Sequence, residues 1–488
     1  MAIMHTKWSR TKKNRMTVIN IRRAPRWSYM VIFFALLVRS SLFGAIPDGE
    51  WKNFEEEAVS LLSRYVQIDT TNPPGNEIKA AQFFKGIFDR EGIESRIIES
   101  APGRGNIYAR FKGNGSKKAV LLLNHMDVVP AEAKLWKEPP FSGVVKEGYI
   151  WGRGALDDKG PGIAELMTLL ALKRGNVQLK GDVIFLGTAD EEAGGAMGAG
   201  FLVEKHPELF KDVGLVLNEG GGIRLGNDGK AREYSVSVTE KTPLWLRLTA
   251  TGAPGHGSTP GNNLAVNKLI NALHNLIQYR SPIKVVPEVQ KFYADTAHAE
   301  PAERREKLRD LRTALKDPAF AEEFTREARN DASVRNTIAI TGMKGSDKTN
   351  VISAVATAEL DVRLLPGEDS KDFINEIRRL IADDSIKIEI LLSFPASTSP
   401  SHPEAMKVIA EFAQKHDPGV AVVAPLVRGF TDCHYFREKG IPCFGFMPLR
   451  NMTSGEGLVH GVDERISVDS LKFGVRAIHE VACNLIAE

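Results

Sequence analysis

The chain has 488 residues, 43% of them hydrophobic and 26% charged, which excludes a disordered or fibrous protein and leaves room for two or more domains. The formal net charge of +3 conceals an asymmetry, because residues 1–47 hold nine Lys/Arg and no acid. The remainder is mildly acidic, which argues against a nucleic-acid binder.

The basic head from Lys7 to Arg26 runs into the apolar stretch "YMVIFFALLV", which ends at Arg39. This layout predicts an export signal or an N-terminal membrane anchor, and so a periplasmic, secreted or anchored protein. "RSSLFGAIPDG" offers small residues but no A-x-A cleavage site, and a start further downstream would make the protein cytoplasmic.

From about Glu50, helices alternate with short apolar strands. "WKNFEEEAVSLLSRYVQ" has helical spacing, "AVLLLN" reads as a buried strand, and "PGIAELMTLLALKRG" as a helix opened by Pro161 and closed by Gly175. "DVIFLGTA" and "DVGLVLN" are further strands. The pattern predicts an α/β fold, a mostly parallel sheet covered by helices.

Near Lys241 the texture changes to the alternating "PLWLRLTATG", a Gly-rich loop and the helix "AVNKLINALHNLIQ". A charged helical stretch at about 285–335 precedes two half-exposed strands, "NTIAITGMKG" and "ATAELDVRLLPG", suited to an antiparallel sheet. We expect a catalytic domain over 48–240 and 367–488, interrupted by an inserted α+β lid or dimerisation domain over 241–366. "IPCFGFMP" is expected as the last strand of the main sheet. The three cysteines, Cys433, Cys443 and Cys483, cannot all pair and are expected as buried free thiols.

Three predicted strands deliver polar groups to their carboxyl ends, where open α/β sheets bind ligands. They bring His125 and Asp127, then Asp190, Glu191 and Glu192, then Glu219, while Asp157 and Asp158 precede the Pro161 helix. Crowded acids repel one another unless a cation sits among them. Imidazole and carboxylates without thiols suit Zn2+ or a similar divalent ion, and many carboxylates for few histidines point to two ions sharing a bridging acid. A lone His-x-Asp pair is often a chance match, and Asp158 also reads as a helix cap.

The strings "LLNHMDVVPA", "WGRGALDDKG", "ADEEAGG", "LNEGGG", "GAPGHGSTP" and "HGVDERI" occur in one order over roughly residues 50–485. Together they resemble the dizinc peptidase and deacylase family of carboxypeptidase G, aminoacylase, succinyl-diaminopimelate desuccinylase, carnosinase and carboxypeptidase S. "PPFSG" and the sizeable insert are most similar to the branch of carboxypeptidase S and the secreted N-acyl-amino-acid hydrolases.

The resemblance implies two divalent metal ions, most simply Zn2+, held by His125, Asp157, Glu192, Glu219 and His460. Asp157 bridges, through a cis peptide bond to Asp158, and Asp127 orients His125. Glu191 is then the general base that takes a proton from the attacking water and passes it to the leaving nitrogen. His256, from a partner subunit in relatives, stabilises the oxyanion, Arg363 holds the substrate carboxylate, and Asn350 helps line the pocket.

The implied activity is hydrolysis of an amide or peptide bond beside a free carboxylate, in a small peptide or an N-acyl amino acid, by a homodimer joined through the insert. A dizinc aminopeptidase and a catalytically idle binding member are the alternatives. "TDCHYF" departs from the family, placing His434 where relatives carry arginine.

Overall fold

The computed structural model describes residues 48–226, 228–452 and 459–487. The signal or anchor expected over residues 1–47 lies outside them. Among the described residues no helix is long and apolar enough to cross a membrane.

The central sheet runs in the order Glu94–Ala101, Arg104–Phe111, Val183–Thr188, Ala119–His125, Val213–Asn218, Cys443–Gly445. Its last four strands are mutually parallel, and Arg104–Phe111 joins them antiparallel. Every residue of Ala119–His125 and Val183–Thr188 is buried, which is why these stretches read as continuous apolar runs instead of alternating ones.

The helix Lys159–Arg174 packs against Ala119–His125 on one side and against the helices Asp48–Val66 and Val468–Ile486 on the other, so Leu166, Leu169 and Leu170 have no exposure. Fully burying one such leucine contributes about 1.5–3 kcal/mol. Pro161 sits in the first turn, where a missing N–H costs nothing. Gly162 sets how close this helix lies to the sheet, since a Cβ there would meet Asn124 Oδ1 at 2.8 Å. The helix start, with Asp157 and Asp158, is thereby brought to the strand end that carries His125.

The second sheet is antiparallel, in the order Thr337–Lys344, Val355–Leu364, Thr242–Thr251, Lys387–Ser393. Burial alternates along Val355–Leu364, and the buried face packs on the helices Ala265–Gln278 and Ser370–Ile381. The expected return to the main domain after Pro366 therefore needs correction. Phe373, Ile377 and Ile381, four residues apart, bury against this second sheet, and Lys387–Ser393 supplies its fourth strand. A helix followed by a strand reads alike in either domain, so local pattern placed the boundary too early. Residues 285–335 form short helices with their own small core of Leu308, Leu311, Phe320 and Phe324.

The cysteines also differ from expectation. Cys433 and Cys443 form a disulfide with Cα atoms 5.4 Å apart, and Cys483 is free. The short helix Cys433–Glu438 folds back onto the edge strand Cys443–Gly445 and brings the two thiols together, which their odd number in the sequence concealed.

Candidate metal centre

His125 is the last residue of its strand and lies beside Thr188, the last of the next. Beyond Thr188, Asp190 adopts the left-handed conformation (φ 73°), which an aspartate tolerates better than most residues, and the chain turns back across the sheet end as Glu191–Ala193. Asp127 holds this turn: its Oδ1 accepts the N–H of Glu191 (3.1 Å), its Oδ2 that of Glu192 (3.2 Å), and Oδ2 also accepts from Asn72 Nδ2 (2.7 Å). Asp190 faces away from the cluster and accepts from Arg104 Nη2 (2.8 Å) and the N–H of Met197 (3.0 Å), so the three consecutive acids divide between support and site.

His125 donates from Nδ1 to the Asp127 carbonyl (3.0 Å), while the Asp127 carboxylate is more distant at 3.5 Å. Its orientation thus comes chiefly from the backbone of Asp127, and the carboxylate serves the turn. His125 Nε2 lies 2.9 Å from Asp157 Oδ1 and 3.9 Å from Glu219 Oε1. The other Asp157 oxygen is 3.2 Å from His460 Nε2, which is 3.1 Å from Glu192 Oε2. Asp157 therefore touches both histidines, and its peptide bond to Asp158 is cis. Two sets of donor atoms, His125–Asp157–Glu192 and His125–Glu191–Glu219, each fall within 4.8 Å of one another.

The cluster is short of positive charge. Burial, then the neighbouring Glu219, pushes the Glu191 carboxyl well above the carboxylate range, and burial with the charge of Asp157 does the same to Glu219. Burial would lower His125, but its contacts with Asp127 and Asp157 and the surrounding acids outweigh this and raise it well above 6.5. Hydrogen bonds to Asp157 and Glu192 raise His460 to about 10. Oxygen and imidazole donors in this number and spacing fit divalent ions, which would relieve the repulsion among the acids.

The model of peptidase family M20/M25/M40 matches residues 121–484. The chain belongs to this family. It is 32% identical over 409 residues to the N-fatty-acyl-amino acid synthase/hydrolase PM20D1 of Xenopus tropicalis, covering 80% of this chain and 77% of that one. It is 29% identical over 446 residues to a probable carboxypeptidase S-like 2 of Dictyostelium discoideum, covering 89% and 82%. Among solved structures, human carnosine dipeptidase 1 superposes with a TM-score of 0.69 at 16% identity, over 90% of this chain and 98% of that one. The M20 chain is accordingly a metal-dependent hydrolase of amide or peptide bonds.

One residue that sequence reasoning passed over organises much of this M20 site. Glu464 is fully buried. Its carboxylate accepts from Arg153 Nη1 (2.6 Å) and from the N–H groups of Gly154 (3.1 Å), Leu156 (2.9 Å) and Asp157 (3.2 Å). Arg153 in turn donates to the His460 carbonyl (3.4 Å), so one acid ties together the segments carrying Asp157 and His460. The signal was its place in "HGVDERI", four residues after His460.

The residues expected at the substrate lie in the insert, and no hydrogen bond or ion pair joins them to the acid cluster among the described residues. His256 is exposed, with Nδ1 2.7 Å from Ser258 Oγ, and Asn350, also exposed, accepts the N–H of Gly257 (2.8 Å) through its carbonyl. Arg363 forms a two-pronged pair with Asp361 (2.6 and 3.0 Å) and packs over Phe430 and Trp245, leaving Nη1 buried without a partner. His434 is buried, stacked on Phe394 with ring centroids 3.6 Å apart and held at Nδ1 by Glu438 (3.2 Å). The same "TDCHYF" stretch braces the metal loop: Asp432 accepts from Thr188 Oγ1 (2.8 Å), and Tyr435 donates to the Gly194 carbonyl (2.8 Å).

Proposed function

We propose that this chain is a dinuclear hydrolase, with Zn2+ as its metal, that cleaves the amide bond of an N-acyl amino acid or dipeptide beside a free carboxylate. The observation that carries the reading is the convergence of His125, Asp157, Glu192, Glu219 and His460, with the buried Glu191 beside His125 and Glu219. Asp157, touching both histidines, would be shared between the two ions, with His125 and Glu219 holding one and Glu192 and His460 the other. When bound, the ions supply Lewis acidity that polarises the scissile carbonyl and makes water a nucleophile near neutral pH.

Glu191 takes the proton of the attacking water and delivers it to the leaving nitrogen, a task that its buried position beside His125 and Glu219 suits. Arg363 is the group proposed for the substrate carboxylate: the Asp361 pair fixes its guanidinium plane, and its buried Nη1, which has no partner, needs the aromatic wall to shift before a carboxylate can reach it. Phe394, Phe430 and Trp245 are mutually packed around Arg363 and His434 and favour an apolar substrate portion.

The insert exposes Ile270, Ile277, Met343, Val355 and Ile390, which supports dimerisation through this domain and a role for the exposed His256 at the partner's site. The Cys433–Cys443 disulfide supports an exported protein, in keeping with the basic and apolar head.

Metal analysis of the purified protein, with a screen of N-acyl amino acids against dipeptides and aminoacyl-nitroanilides, tests the reading. Two ions per chain and hydrolysis only beside a free carboxylate are expected, with Glu191→Gln keeping its metal and losing about 10²–10⁴ in turnover. Full activity in that variant, or a preference for aminoacyl-nitroanilides, would overturn it.

A further inference from the structure

The strands Ala119–His125 and Val213–Asn218 run toward the metal centre, but their first residues, Ala119 and Val213, line a second opening. This cavity of about 950 Å3 lies at the opposite edge of the sheet, between its two covering layers. Small-molecule sites span roughly 300–1,000 Å3, so the space is large enough for a ligand. Its separation from the cluster is the length of a seven-residue strand, about 20 Å.

The lining has two characters. Val120, Val203, Phe210, Leu215 and Leu485, each packed into the cores behind it, form an apolar floor, and Lys118, Lys211 and Lys439 stand at an exposed rim. The two acids of the lining are engaged already, Glu404 with Lys117 (2.6 Å) and Glu204 with Lys205 (2.7 Å). The ammonium groups of Lys118, Lys211 and Lys439 make no hydrogen bond or ion pair among the described residues. Gly214 keeps room for Lys118 at the mouth, since a Cβ there would meet the Lys118 side chain at 2.7 Å.

We propose that this cavity binds an amphipathic anion, one per chain, with a carboxylate or phosphate head among Lys118, Lys211 and Lys439 and an aliphatic body against Val203, Phe210 and Leu485. A small inorganic anion would leave the apolar floor uncovered, and a neutral apolar molecule would leave Lys118 and Lys211 without a counter-charge, while Lys439 already has Glu204 near it. The inference is independent of the metal-centre reading and holds whichever residue is the base.

Titration calorimetry of the metal-loaded full chain with monomeric decanoate tests it, using Lys118→Ala/Lys211→Ala/Lys439→Ala as the comparison. The parent protein is expected to bind one more decanoate per chain than the triple variant, or to bind it at least tenfold more tightly, with melting temperature and turnover unchanged. Decanol and acetate are each expected to bind at least tenfold more weakly than decanoate, and added salt to weaken the decanoate complex. A parallel titration with decyl phosphate identifies the preferred head. Equal decanoate binding by the triple variant, equal binding of decanol, or capture of phosphatidylserine vesicles without binding of monomeric decanoate would each overturn the proposal.

Discussion

Asp127 and Glu191 are joined side chain to backbone: the carboxylate that follows His125 by two residues accepts the N–H of Glu191 and, through its other oxygen, the N–H of Glu192. A single acid thus sets the height of the turn that presents both the proposed base and a proposed ligand. Asp127→Asn would turn an N–H donor toward one of those amides, leaving a buried donor opposed at a cost of about 1–3 kcal/mol. A fall in kcat of about 10- to 100-fold with the metal retained is expected, measured by steady-state kinetics alongside metal analysis.

Glu464 makes the analogous clamp from the other side. Glu464→Gln keeps the shape but opposes an amide to some of the four donors that converge there. We expect metal affinity to fall about 10- to 100-fold, read by competition with a chelator, together with a lower melting temperature. A lower melting temperature with unchanged metal affinity would reduce Glu464 to a purely structural acid.

The charge state of the cluster gives a pH dependence that metal should abolish. In the metal-free protein His460 has its folded pKa raised from 6.5 to about 10, so its contribution to stability is complete below about 6.5 and is lost as pH rises toward 10. Glu191 and Glu219, also raised, act in the same direction, because ionising them in the fold is unfavourable. The melting temperature of metal-free protein is therefore expected to fall between pH 6.5 and 10, with a shallower slope in His460→Ala. Metal-loaded protein should show little slope over the same range. The His460 side chain is half exposed, so its share of the effect is small.

The disulfide closes a loop with a sequence separation of 10, for which loop entropy gives roughly 2–3 kcal/mol. Reduction, or the pair Cys433→Ser and Cys443→Ala, should lower the urea midpoint accordingly. Because Asp432 and Tyr435 brace the turn beyond Thr188, some loss of turnover is expected as well.

How much of this was legible in the sequence depended on whether a residue's partners were near in chain pattern. His125, Glu191 and Glu219 could be found because each closes an apolar run, and a strand has one end at which a ligand can sit. Asp190 separated from Glu191 and Glu192 once its left-handed backbone turned it toward Arg104. Glu464 was passed over although it stands in the same motif as His460, since an acid between Asp463 and Arg465 reads as solvated surface until the fold buries it. The disulfide and the far boundary of the insert were hidden for a related reason: both depend on which distant element a short segment docks against.

The reach of Glu464 to Asp157 spans 307 positions of the chain. During synthesis Asp157 leaves the ribosome long before the acid that clamps its backbone, or the histidine that shares its carboxylate, has been made. Until then the loop before the long buried helix is held only by contacts with earlier segments, among them His125 and Pro140, and the cluster lacks His460. The cluster is therefore complete only when almost the whole polypeptide is available to fold, since both the clamp and the second imidazole come from its final part.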